Sequence, residues 1–215
     1  MRIRFDNELD TLYMNMVKMG NLAEKALELV YQELSTEDRT KLEEIFETSK
    51  EIDEKDREIE TLCMRLLLRR QPVAGDLRTI SSALKMIDDI ERIGDNAADI
   101  AEMIPFISSS EETRRVGLDK MAKEVTKMVT DAIDAFVRSD GEKAASVVEY
   151  DDVVDALFTQ AKDKVTDMIK SADDKASEAP DLLMIAKYLE RMGDHAASLA
   201  SWVLNAIGRP AGDKR

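Results

Sequence analysis

With 45 acidic against 31 basic side chains in 215 residues, and a net charge of −14, this chain repels phosphate backbones, which argues against direct nucleic-acid binding. Hydrophobic residues at 44%, with only four Pro and eight Gly, exclude a disordered chain and favour long amphipathic helices. The sequence offers no run of about 18 apolar residues to span a membrane and no apolar run of about 7 to 15 residues to act as a secretory signal, so cytoplasmic residence is expected.

The 3.6-residue period predicts a first helix over about residues 6 to 33, with Leu12, Met16, Met19, Ala23 and Val30 on its inner stripe. After the break at Ser35-Thr36, a second helix runs from about 37 to 70 through Ile45, Ile52, Ile59 and Leu66, and Arg69 and Arg70 suit the negative end of its dipole. Cys63, the only cysteine, lies within it and is expected to be a small buried apolar side chain rather than a nucleophile. Pro72 and Gly75 interrupt the pattern, Asp76 can cap the third helix, and that helix runs from about 76 to 104, where Pro105 stops it. Ser108 to Ser110 reads as a linker. The order then repeats with helices over about 113 to 138, 141 to 172 and 180 to 206.

The repetition extends to particular residues. Glu91-Arg-Ile-Gly-Asp95 returns 99 residues later as Glu190-Arg-Met-Gly-Asp194, and Leu118 to Met121 aligns with Leu9 to Leu12. The expected fold is therefore all-α: two tandem three-helix bundles, six long helices in all, related by internal duplication. The first unit covers residues 1–107, the second 112–208, and 209–215 form a short tail.

On the third helix, with Ile87 taken as the core direction, Glu91 falls about 40° away inside the apolar stripe and Asp95 about 80° away at its edge. Glu190 and Asp194 take the same angles in the second copy, whereas His195, the sole histidine, falls about 180° away and is expected on the surface. The second helix of each unit adds further acids: Asp151 and Asp155 in one, Asp53 and Asp56 in the other, where Ser49 stands in the place of Asp151. Two helices of each unit can thus offer carboxylates to one site, the first being weaker or completed by Asp56. A half-buried carboxylate requires a cation or a proton. Three readings follow: a purely structural scaffold, in which a Lys or Arg of a neighbouring helix or simple solvation between loosely packed helices meets the charge; a bound metal ion; or a catalytic acid of a metal-dependent enzyme. All-oxygen donors favour a hard cation such as Mg²⁺, Mn²⁺, Ca²⁺ or iron. A di-iron site of Glu-x-x-His type lacks its histidines, and phosphate-binding Gly-rich loops are absent. Gly94 and Gly193 sit mid-helix, where a close helix approach would offset their cost of about 1 kcal/mol.

Taken together, Arg70-Gln-Pro72-Val-Ala-Gly-Asp76, Ser82-Ala-Leu-Lys85, the two Glu-Arg-x-Gly-Asp segments, Leu182 to Leu189 and Trp202-Val203 resemble the PhoU family of phosphate-transport regulators over nearly the whole chain. The resemblance implies two three-helix bundles and a regulator rather than an enzyme. It implies an adaptor between the ATPase subunit of a phosphate ABC transporter and a phosphate-sensing histidine kinase, which holds down phosphate-starvation genes, and a homodimer. It also implies metal ions, with iron, zinc, magnesium and manganese all open, at Glu91 with Asp95, Glu190 with Asp194, and Asp151 with Asp155. The fourth motif is interrupted by Ser49 ahead of Asp53. The second site is accordingly the one expected to hold metal if only one does.

Overall fold

The computed structural model describes residues 2–37, 39–69, 74–171 and 174–208. Residues 70–73, between the second and third helices, and the tail 209–215 lie outside the described residues. The six long helices are α1 (Arg2–Ser35), α2 (Leu42–Arg69), α3 (Ala74–Met103), α5 (Leu118–Arg138), α6 (Gly141–Lys170) and α7 (Ala179–Ala206), with a short α4 (Ser110–Val116) between the repeats. Among the described residues there is no strand.

The helix expected over residues 113 to 138 is thus two helices. Gly117 adopts the left-handed region at φ 99°, which ends α4 through a bond from its N–H to the Thr113 carbonyl, and its own carbonyl then starts α5. The residues expected to be linker partly belong to α4, which docks on α1 where the Thr113 hydroxyl donates to the Leu34 carbonyl at 2.5 Å. α6 starts on a conventional cap, the Asp140 carboxylate accepting from the N–H groups of Glu142 and Lys143 at 3.0 Å. α3 begins two residues before Asp76, which lies in its first turn instead of capping it.

Each repeat buries one stripe per helix into its own core. Leu12, Met19, Ile45, Ile52, Ile59, Ile80 and Ile87 fill the first, and Met121, Val125, Met128, Val154, Ile185 and Leu189 the second. Cys63 is buried as expected, and burial pushes its thiol up to about 12, far from the reactive range. The repeats pack α1 on α5 and α3 on α7, both antiparallel, and α2 and α6 flank this inner set of four.

The two seams differ. Between α1 and α5, Tyr13 stacks on Phe136 with ring centroids 5.1 Å apart. Between α3 and α7 the apolar packing is crossed by polar contacts: Ser82 donates to Asn205 at 3.0 Å, Ser198 donates to Asp89 at 2.7 Å, and Tyr188 bonds Asp99. His195 belongs here. Its Nδ1 lies 3.0 Å from the Asp89 carboxylate, so it is half-buried between the repeats and not on the surface. Asn96, its equivalent on α3, is only 3% exposed. A helical wheel with one core direction assigns both positions to water; α3 and α7 have two buried faces because each packs on its own bundle and on the other repeat.

Candidate functional site: two carboxylate clusters

The repeats place their acids in equivalent positions, between α2 and α3 in the first and between α6 and α7 in the second. Small residues set the spacing. A Cβ added to Gly94 would come within 2.9 Å of the Ile52 side chain, and one added to Gly193 within 3.2 Å of Val154 and 3.5 Å of the Asp151 Oδ1. The glycines therefore let the outer helix approach close enough for its carboxylates to meet those of the inner one.

In the second cluster Asp151 and Asp155 of α6 face Glu190 and Asp194 of α7. Burial, followed by the charges of Asp194, Asp155, Glu190 and Asp152, pushes the Asp151 carboxyl up to about 6. Burial and then Glu190 also raise Asp194, with Lys187 opposing. Lys187 pairs with Glu190 one turn along α7, and its ammonium lies 5.3 Å from the centre of the Phe158 ring.

In the first cluster Asp53 and Asp56 of α2 face Glu91 and Asp95 of α3. Asp53 is raised by burial and by Asp95, and Glu91 by burial and then by Asp95, with Asp53 and Asp88 adding to the effect. Asp56 is pushed up to about 6 by burial and by Glu91, Asp88, Glu60 and Asp53, and its Oδ1 is buried without a hydrogen-bond partner. Arg92 holds Asp95 at 3.1 Å and Lys85 holds Asp88 at 3.0 Å, in both cases from the same helix. The residue at Asp151's place, Ser49, is buried.

The structure thus brings together Asp53, Asp56, Glu91 and Asp95 in one cluster and Asp151, Asp155, Glu190 and Asp194 in the other. Asp88 and Glu60 join the first cluster without having been anticipated. Asp88 could have been found from its place three residues before Glu91 on the same helix face. The cations that reach the clusters include Arg92 of α3 and Lys187 of α7, and Arg57 of α2, whose charge opposes the rise of Asp53.

The donor set fits a hard cation: every group is a carboxylate, the principal electrostatic neighbours of Asp56 and Asp151 are carboxylates, and Asp56 has an oxygen without a partner. Among the described residues no three Asp, Glu, His or Cys side chains are already gathered about one point as a bound ion would hold them.

A tandem pair of three-helix bundles, each with its acids gathered between its second and third long helices, defines a duplicated all-helical protein built around two carboxylate clusters. The chain belongs to the PhoU family: the PhoU domain model matches residues 16–104 and again 118–203. It is similar to the phosphate-specific transport system accessory protein PhoU homolog of Clostridium acetobutylicum, at 32% identity over 94% of both chains, and to that of Pseudomonas aeruginosa, at 35% identity over 95% of this chain and 85% of the relative. The crystal structure of PhoU from Pseudomonas aeruginosa superposes with a TM-score of 0.86 at 32% identity, covering 94% of this chain and 98% of that one. The phosphate transport system regulatory protein PhoU of Streptococcus pneumoniae gives a TM-score of 0.84 at 25% identity, covering 94% and 96%.

Proposed function

We propose that this chain is an accessory regulator of phosphate transport. It works on the cytoplasmic side as an adaptor between the ATPase subunit of a phosphate ABC transporter and a phosphate-sensing histidine kinase, and it does so as a homodimer. Supporting the transport role are relatives that carry that description over nearly their full length, and an end-to-end match to solved PhoU structures. Among the described residues no helix is long and apolar enough to cross a membrane, which suits attachment through protein partners.

Metal ions at the two clusters form part of the same reading. Asp151, Asp155, Glu190 and Asp194 would hold one group of ions, and Asp53, Asp56, Glu91 and Asp95, with Asp88 beside them, the other. What bound cations supply is positive charge that neutralises mutually repelling acids and ties α2 to α3 and α6 to α7. The observation that carries this is the pair Asp56 and Asp151, each raised to about 6 with carboxylates as its main neighbours. The Arg92–Asp95 and Lys187–Glu190 pairs favour the structural-scaffold alternative. Elemental analysis of protein purified without chelator separates the two: iron, zinc, manganese or magnesium in stoichiometric amount supports the metal reading, and metal-free protein whose melting point ignores added Mn²⁺ or Fe²⁺ supports the scaffold. Capture of the transporter ATPase by the immobilised chain tests the adaptor role, with no capture alongside an active transporter as the adverse result.

A further inference from the structure

Where α1 and α5 run side by side, a cavity of about 410 Å³ opens between them, flanked by Glu28 and Tyr31 from α1 and by Lys123, Lys127 and Asp131 from α5. Thr126 and Thr130 form its wall between the lysines. The size lies within the range of about 300 to 1,000 Å³ typical of small-molecule sites. Lys123 and Lys127 are one helical turn apart and project to the same side.

The hydrogen-bonding state of this wall is uneven. Glu28 already accepts from Gln32 at 3.0 Å, and Asp131 from the Lys143 ammonium at 3.1 Å. The Thr126 hydroxyl donates to the Ala122 carbonyl at 2.8 Å and Thr130 is bonded to Glu24, so both threonine hydroxyls are already engaged. The donors are different. Among the described residues Lys123 and the Tyr31 hydroxyl make no hydrogen bond or ion pair, and the Lys127 ammonium rests 4.1 Å from the centre of the Tyr150 ring with no carboxylate on it. Tyr150 in turn donates to Glu124 at 2.8 Å. Two ammonium groups and a phenol thus face one concavity with no hydrogen bond or ion pair of their own among the described residues, beside carboxylates, Glu28 and Asp131, that are engaged by Gln32 and Lys143, and they form a donor set open to a ligand.

We infer that the α1–α5 groove binds a small organic phosphate, its phosphoryl group between Lys123 and Lys127 with the Tyr31 hydroxyl as third donor, and its planar body against the Tyr31 ring. A phosphoryl dianion matches the two positive charges and offers three terminal oxygens to three donors, where a carboxylate offers one charge and two. The cavity is larger than inorganic phosphate needs, and the Tyr31 ring suits an apolar body. This site lies apart from the carboxylate clusters and does not depend on metal there.

The test is calorimetric titration of the full chain with AMP and, separately, inorganic phosphate, in EDTA so that no anion is held through a carboxylate-bound ion. AMP is expected to bind more tightly than phosphate. Lys123→Met and Lys127→Met are each expected to weaken AMP about tenfold, as loss of one charge-assisted contact does. Tyr31→Phe is expected to weaken both ligands and Tyr31→Ala to weaken AMP further, while Lys120→Met, one turn outside the cavity, changes neither. Circular dichroism and thermal melts check that the variants are folded; Lys123 and Lys127 are exposed, and Tyr31→Phe keeps the ring that packs against the core. Failure of AMP to bind at millimolar concentration, binding indifferent to both lysine variants, or phosphate binding as tightly as AMP would each overturn the inference.

Discussion

The two carboxylate clusters occupy equivalent places in the two copies of a repeated domain and differ at their two ends. At one end the second repeat has Asp151 where the first has the buried Ser49. At the other the first repeat has Asp56 and Asp88 where the second has Phe158 and Lys187. Relative to the second cluster, the first lacks an acid at one end and carries two more a turn or two further along. In the second, Lys187 closes the corresponding end by pairing with Glu190 over the Phe158 ring. The electrostatic outcome is similar in both: one aspartate in each repeat, Asp56 or Asp151, is raised to about 6 by burial and by neighbouring carboxylates. Duplicated helices can preserve a local charge imbalance while changing which residues create it.

The largest expected difference lies in the packing beneath the clusters. Ile52 is fully buried against Gly94, and Ile52→Ala is expected to cost about 3 kcal/mol by denaturant unfolding, whereas Val154→Ala against Gly193 removes fewer methyl groups and is expected to cost about 2 kcal/mol. Equal costs would mean that the two helix contacts are not matched as the glycines suggest.

Next in size are the acids. In chelator, Asp56→Asn and Asp151→Asn are each expected to stabilise the chain by about 1 kcal/mol, after allowance for solvent screening of half-buried groups, because each removes repulsion within a cluster. With metal present the sign is expected to reverse. Destabilisation under both conditions would show that these carboxylates have structural partners.

The burial of these groups, with the repulsion of their neighbours, sets a pH dependence. Asp56 and Asp151 have folded values of about 6 against 3.8 for the ordinary group, so between those limits the folded chain holds protons that the unfolded chain does not. The metal-free protein is expected to gain stability as pH falls from 7.5 to 5, by about 1 kcal/mol per group at most once screened. Glu44, hydrogen-bonded to Lys25, and Asp134, hydrogen-bonded to Lys143, are held below their ordinary values of 4.5 and 3.8, so their contribution is lost only at lower pH. Thermal melts in EDTA at the two pH values check the sign, and the gain is expected to shrink in the Asp56→Asn, Asp151→Asn double variant to what the smaller rises of Asp53, Glu91 and Asp194 leave. The smallest effect concerns Lys187→Met, which frees Glu190 and is expected to raise Mn²⁺ affinity a few-fold at the second cluster alone, in line with a partly exposed ion pair of about 0.5 kcal/mol.

Much of this was legible in the sequence. The duplication, the six long helices and the pairing of acids on second and third helices follow from periodicity and from residues recurring at a fixed interval. The break at Gly117 was missed because the apolar stripe continues through it, and a left-handed glycine leaves no mark on hydrophobic periodicity. His195 departs from expectation for a different reason: a wheel reports one core direction, and the packing of α3 on α7 creates a second, which also buries Asn96 and which only tertiary structure reveals. Asp88 and Glu60 escaped notice because on so acidic a chain a single acid is unremarkable until a partner such as Asp56 is seen beside it.

The most direct test is elemental analysis of three proteins prepared alike without chelator: the natural chain, an Asp56→Asn, Glu91→Gln variant and an Asp151→Asn, Glu190→Gln variant. Two cation-binding clusters predict bound metal in the natural chain, with each variant losing the share of its own cluster and keeping the other. Metal absent from all three, or present in equal amount in all three, would contradict a role for these carboxylates in holding it.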